Sequence, residues 1–160
     1  MKYGEPGTPK EIYTMLQRIY WGIFIGVIIF PVIIYVVSWF ISPVIISKTI
    51  VRNLFLFSLF LSAIFLTLAA VLYRKRTTKA KQPASGLVDK LQKYKSALVV
   101  FLAFNEAPAF LSALFYMLTR EYLFLIIAGI ILINILLKRP DKSRIFNELE
   151  LNTSEQMELN

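Results

Sequence analysis

Residues 97–118 read ALVVFLAFNEAPAFLSALFYML, an apolar run with a single acid, Glu106, near its middle. A helix crosses the ~30 Å hydrocarbon core of a bilayer with about 20 residues. In lipid the backbone must satisfy its own hydrogen bonds, which a helix does. The run therefore predicts a transmembrane helix that carries an ionisable group at a costly depth.

Three further apolar runs, at 19–46, 50–73 and 122–137, fit the same interpretation. The 160-residue chain is 57% hydrophobic with a mean hydropathy of +0.62, far more apolar than a soluble domain. The run at 122–137 is the shortest and needs Lys138 and Arg139 as snorkelling anchors. We expect an all-α polytopic membrane protein: a single membrane domain, 1–160, with four transmembrane helices in a bundle.

The basic residues predict the orientation of these spans. Fifteen of the 18 Lys and Arg residues lie in the N-terminal segment, the loop at 74–96 and the tail at 138–160, against Lys48, Arg52 and Arg120 on the other side. Cytoplasmic connections carry such an excess, so both termini and the basic loop are predicted to be cytoplasmic. We expect the loop to meet anionic lipid headgroups and not nucleic acid. The first apolar run is too long for a secretory signal peptide.

Two of the spans are predicted to extend into the cytoplasm as amphipathic helices. Thr8-Pro9-Lys10-Glu11 is a capping box with proline at the first helical position, so an interfacial helix within 1–18 should run into span one. Its apolar stripe is Ile12, Met15, Leu16 and Ile19. Ser85 is predicted to cap a helix that runs into span three, with the stripe Leu87, Leu91, Tyr94 and Leu98. The basic linker between, Thr77–Ala84, contains Pro83 and is expected to be mobile.

The tail after Pro140 permits two interpretations. Ile145, Phe146 and Leu149 fall at helical spacing, and from Glu148 onward there are four acids and no base. The segment is either a solvated end or a peptide that docks on a basic surface.

Small residues and prolines mark where the predicted spans pack and bend. Gly22 and Gly26 form a GxxxG pair in span one, and Ala109 and Ala113 repeat that spacing in span three. Such pairs permit close approach of helices. Pro31 and Pro108 should each kink a span, because proline cannot donate to the carbonyl four residues earlier.

The polar residues at membrane depth suggest one cluster. Pro108 frees the carbonyl of Phe104, and Glu106 has Asn105, Asn134, Ser58 and Ser62 as candidate partners. One alternative is a protonated Glu106 that donates a single interhelical hydrogen bond and holds helices together. The other is a proton or cation site made of oxygens, with Glu106 as the titrating group. Ser58 and Ser62 either form hydrogen bonds with Glu106 across the helices or donate to carbonyls of their own helix.

Residues 50–118 resemble the hairpin of the proteolipid (c) subunit of rotary ATP synthases. The likeness is carried by Lys81-Gln82-Pro83 in the loop and by Phe104-Asn105-Glu106-Ala107-Pro108-Ala109 around the acid. It implies that Glu106 binds a proton or sodium ion. The run at 50–73 has no glycine, whereas the proteolipid inner helix is glycine-rich. The chain has a short amphipathic start, a basic central loop, Glu106-Ala107-Pro108 in span three, a tight turn at Thr119–Glu121 and a Lys138-Arg139-Pro140 exit. This layout is similar to that of small bacterial four-span proteins, which implies a bacterial inner membrane.

Composition argues against most enzyme classes. The chain has no cysteine and no histidine, which excludes disulfides, thiol catalysis, iron–sulfur ligation and histidine-based metal or haem sites. The short connections around Ser47–Thr49 and Thr119–Glu121 are too small to build an active site. We expect no cofactor and no metal, and a non-enzymatic interaction or structural subunit, as a homo-oligomer or in a membrane complex. The alternative function is a proton- or cation-binding, proteolipid-like oligomer.

Overall fold

The computed structural model describes residues 7–41, 46–81 and 86–159, and all regular structure in these ranges is helical. The helices are α1 Pro9–Ser38, α2 Lys48–Ala80, α3 Leu87–Thr119, α4 Leu123–Leu136, α5 Lys142–Leu149 and α6 Thr153–Leu159. The predicted all-α class is confirmed.

Three helices, α1, α2 and α3, are long and apolar enough to cross a membrane. They contain 30, 33 and 33 residues, against 14 in α4. At 1.5 Å per residue α4 is about 21 Å long, less than the hydrocarbon core. The described fold is therefore helical with three candidate spans, which is consistent with a membrane protein, and the fourth span stays a prediction.

The capping box at the start of α1 is confirmed. The backbone N–H of Thr8 donates to Glu11 Oε2 at 2.9 Å, and the Glu11 N–H donates to Thr8 Oγ1 at 3.4 Å. The helix then continues through Pro31 to Ser38, so the interfacial segment and the first span are one helix. Of the predicted stripe, Ile12 and Leu16 are buried while Met15 is half exposed.

The predicted linker begins later than expected, because α2 continues to Ala80. The hydroxyl of Thr77 donates to the Tyr73 carbonyl at 2.7 Å, and that of Thr78 to the Arg74 carbonyl at 2.9 Å. These residues therefore satisfy their hydroxyls on the helix itself. The rest of the predicted linker, which includes Gln82 and Pro83, lies outside the described residues. The predicted cap Ser85 lies outside them as well.

The third helix is central and packs against α1, α2 and α4. Three contacts show that α1 and α3 run parallel with nearly constant register: Lys95 Nζ donates to Met15 Sδ at 3.7 Å, the Phe30 and Phe110 rings lie 4.4 Å apart, and those of Tyr35 and Tyr116 lie 6.0 Å apart. The partner on α3 is therefore about 80 positions further along the chain. The same offset puts Gly26 at the level of Glu106.

The tail folds back onto the long helices. Ile145, Leu149, Leu151 and Leu159 are buried in the same apolar core as the first turns of α1 and α3. The interpretation of the tail as a solvated end is therefore wrong. We call this region, formed by the starts of α1 and α3, the end of α2, and α5 and α6, the tail-side end.

Acids of the tail pair with bases of the same chain. Lys81 Nζ lies 2.6 Å from Glu150, and Lys90 Nζ lies 2.7 Å from Glu155. Glu148 is 3.0 Å from Arg144 and 3.7 Å from Lys138. The basic surface on which this acidic segment docks is thus supplied by its own helices.

Candidate functional site

Two asparagines join α3 to α4 inside the apolar region. Asn134 Nδ2 donates to Asn105 Oδ1 at 2.8 Å, and Asn105 Nδ2 donates to the Phe101 carbonyl at 2.7 Å. Asn105 is fully buried, so it needs these partners. The structure therefore brings together two of the residues that the sequence analysis grouped around Glu106.

A pair of serines joins α2 to α3. The hydroxyl oxygens of Ser58 and Ser112 are 3.0 Å apart and buried. Ser112 was missed by the sequence analysis, although it lies two helical turns after Asn105 and is the only serine or threonine in 97–118. Ser62 is also buried, and its hydroxyl has no hydrogen-bond partner among the described residues.

Glu106 lies apart from these polar pairs. It is half-buried, between the buried Asn105 and the exposed Ala107, so it stands at the edge of the packed face of α3. Within the described ranges it makes no hydrogen bond and no ion pair. Phe104 packs its ring against Phe65 of α2, with 5.7 Å between centroids. The predicted cluster around Glu106 is therefore not assembled within this chain.

The two small-residue pairs behave differently. Ala109 and Ala113 on α3 are fully buried, as close packing requires. A Cβ added at Gly22 or Gly26 would meet nothing within 4 Å, so these glycines make no close helix contact in this chain.

The glycines lie at the edge of the face of α1 that packs on α3, where Gly22 is exposed and Gly26 is half-buried. Gly22 and Gly26 continue the helical spacing from Met15 to Phe30, and both of those residues contact α3. The open space beside Gly26 therefore lies at the same height along the helix axes as Glu106, which has no partner among the described residues. We call the strip formed by Gly22, Gly26, Ala103 and Glu106 the α1–α3 notch; Ala103 is exposed one turn before Glu106.

The prolines leave both long helices continuous. Pro108 is buried inside α3, and Pro31 lies inside α1. Pro31 lines a groove of about 300 Å³ between α1 and α4, together with Tyr35 and Gly129. This groove is on another side of α1 from the notch.

The polar network at the tail-side end is denser than the one at membrane depth. The Tyr73 hydroxyl donates to Glu148, and the hydroxyl oxygens of Tyr73 and Tyr94 lie 3.1 Å apart. Gln17 Nε2 donates to the Pro140 carbonyl at 2.7 Å, which ties α1 to the start of the tail. None of these contacts was predicted, because they join residues far apart in the sequence.

Burial and partners act in opposite directions on Glu155. Burial of its carboxyl raises the pKa, but the hydrogen bond from Lys90, the backbone N–H of Asn152 and the positive charge of Lys90 outweigh it. The pKa of Glu155 therefore lies below its usual value, and the carboxylate is charged at neutral pH.

Comparison of the chain with protein-family models, with curated proteins and with solved structures gives no match. The resemblances to the proteolipid subunit and to bacterial four-span proteins stay predictions.

Proposed function

We propose that this chain is a non-enzymatic integral membrane protein that acts as an interaction or structural subunit, and that it binds another transmembrane helix through the α1–α3 notch. The observation that carries this proposal is an unpartnered Glu106 at the level of an unfilled glycine. An intramembrane carboxyl is costly and is normally paired or faces water. A transmembrane helix of a partner protein supplies the hydrogen-bonding group that Glu106 does not find in this chain.

The shape of the notch supports the same proposal. Small residues permit two backbones to approach closely, and polar side chains then bond across the contact. Gly22, Gly26 and Ala103 provide the small residues, and Glu106 provides the polar group. Over residues 19–38 of α1 and 54–72 of α2, the rest of the exposed surface is mostly large and apolar, as contact with lipid acyl chains requires.

The proposal includes the finer topology expected from the sequence. Together with α1, α2 and α3, α4 forms a fourth span that tilts little and relies on Lys138 and Arg139 at its end. Both termini and the tail-side end lie in the cytoplasm of a bacterium, beneath the inner membrane. The fifteen basic residues on that side support this orientation.

The test is the size of the assembly that the full chain forms in native membranes, read on native gels after mild extraction. Glu106→Gln keeps a hydrogen-bonding group and should leave the assembly intact. Glu106→Leu should weaken it about tenfold, since an interhelical hydrogen bond in lipid contributes about 1–2 kcal/mol. Thr67→Val is the matched control, because Thr67 is exposed on α2 and bonds only to its own helix.

Cysteine cross-linking locates the contact. The chain has no cysteine, so each introduced one is the only reactive thiol. Alkylated with a maleimide that carries a photoreactive group, the Ala103→Cys variant should capture the partner helix on illumination, and Phe60→Cys, on an exposed face of α2, should not. An assembly that survives Glu106→Leu unchanged, or equal capture from both positions, would refute the proposal.

The alternative, a titrating Glu106 in a proteolipid-like oligomer, gives a different result. Glu106→Gln would then leave the assembly intact and abolish the biological activity. Carbodiimide, which modifies protonated carboxyls in lipid, would label Glu106 at low pH, and sodium would block the reaction if sodium is the ligand.

A further inference from the structure

A basic cavity lies between α2 and α5 at the tail-side end and shares no residue with the notch. It has a volume of about 610 Å³, and its polar lining includes Arg74, Lys81, Lys138, Asn147 and Glu148. We propose that this cavity binds the phosphate of one anionic membrane lipid, such as phosphatidylglycerol.

The charges at the cavity leave a positive surplus. Three cations line it against one carboxylate, Glu148, and that carboxylate already has Arg144 at 3.0 Å and the Tyr73 hydroxyl as partners. Lys81 is balanced by Glu150 at 2.6 Å. Arg74 makes no hydrogen bond or ion pair through its guanidinium within the part of the chain that the structure describes. An anion is therefore the ligand that this lining favours.

The available donors suit a phosphate. Arg74 offers a planar fork that bonds two phosphate oxygens at once. Lys138 adds an ammonium group 3.7 Å from Glu148, a distance at which it still has donors to spare. Asn147 is exposed at the cavity and adds an amide donor. The hydroxyls of Thr77 and Thr78 donate to helix carbonyls, so neither has a proton left to donate to a phosphate.

The position of the cavity favours a lipid over a soluble phosphate. The apolar run of α2 ends at Tyr73, and the next three residues are Arg74, Lys75 and Arg76. Aromatic and basic residues at the end of a span mark the level of the headgroups. A second cavity of about 520 Å³ shares Arg74 and Thr78 with the first and reaches the apolar Val71. A phosphate bound at Arg74 is thus adjacent to an apolar helix face that acyl chains can cover.

The test is titration of the full-length protein in detergent with phosphatidylglycerol, followed by native mass spectrometry. The proposal predicts one saturable site, with much weaker binding of zwitterionic phosphatidylcholine. Arg74→Gln should weaken binding about tenfold, the usual effect of losing a charge-assisted hydrogen bond. Asn147→Asp, which places a carboxylate at the same exposed position, should weaken it as well.

Arg18→Gln is the matched control, because it removes the same charge from an exposed arginine of α1 that does not line the cavity. Equal loss in Arg18→Gln and Arg74→Gln would mean diffuse attraction to basic residues and would overturn the proposal. Displacement of the lipid by millimolar glycerol 3-phosphate, with no gain from acyl chains, would overturn it in favour of a soluble phosphate. Glu106→Leu should leave lipid binding unchanged, so this test is separate from that of the notch.

Discussion

The acidic side chains at the tail-side end are paired within the chain, whereas the acidic side chain in the middle of α3 is not. At the tail-side end, Glu148, Glu150 and Glu155 each have a basic partner within the chain. At the middle of α3, Glu106 has no partner among the described residues. Fifteen of the 18 basic residues belong to the N-terminal segment, the loop and the tail, and Arg52, near the start of the run at 50–73, is the only base within the four apolar runs. The chain thus pairs the acids of its tail internally, whereas Glu106, in the candidate span α3, stays without a partner among the described residues.

The largest loss of stability is expected when an apolar side chain of the tail is shortened, which tests whether the tail is docked. Leu149 is fully buried, so Leu149→Ala should lower the free energy of unfolding by about 3 kcal/mol, from lost burial and the cavity left behind. Denaturant titration in detergent micelles measures it. Met157, which is 72% exposed in α6, is the control, and Met157→Ala should change stability by less than about 0.5 kcal/mol. Equal effects would mean that the tail is not docked as described.

The ion pair between Lys90 and Glu155 should have the next largest effect. Their side chains are only 8% and 14% exposed, so Glu155→Gln leaves a poorly solvated lysine charge without its counter-charge. We expect a loss of about 2 kcal/mol, since the amide keeps one hydrogen bond. Glu158→Gln, on an exposed residue of the same helix, should have no measurable effect. Unfolding of both variants under the same denaturant provides the comparison.

The pH dependence of tail docking follows from the lowered pKa of Glu155. A carboxyl whose pKa is lower in the folded state contributes stability that is fully present above its unfolded value. For Glu155 that reference is 4.5, so its contribution should be lost as pH falls below 4.5 and through the folded pKa. Unfolding measured between pH 7 and pH 3 should show this loss in the wild-type chain. Glu155→Gln should remove that part of the pH dependence, and an unchanged profile would contradict the assignment.

The smallest effect is expected at membrane depth. Asn134→Leu removes the amide that donates to Asn105, and it should cost about 1 kcal/mol because single interhelical hydrogen bonds in membranes contribute little. Thr67→Val, which removes a hydroxyl bonded only within α2, is the control. A loss as large as that of Leu149→Ala would show that the middle of α3 depends on internal polar contacts as strongly as the tail does. The contrast between the two regions would then fail.

Local signals were predictable from the sequence and distant contacts were not. The capping box of Thr8 and Glu11 involves residues three apart, and the lengths of the apolar runs indicate membrane-spanning helices directly. The helix α2 continues past the predicted start of the linker, because the hydroxyls of Thr77 and Thr78, residues typical of linkers, bond back to helix carbonyls. The pairing of Ser58 with Ser112 depends on which faces of α2 and α3 meet. The spacing of residues within α2 or within α3 does not specify which of their faces pack together.

The hydrogen bond from Gln17 to the Pro140 carbonyl joins residues 123 positions apart. During synthesis the first helix emerges long before the segment that it binds. Contacts of such sequence separation form late, because the intervening chain must first be arranged. While the later helices are made, Lys90 therefore lacks its partner Glu155, and the Tyr73 hydroxyl lacks Glu148. The molecule is completed at its tail-side end, and until α5 and α6 are in place the apolar and charged surface that they cover stays exposed.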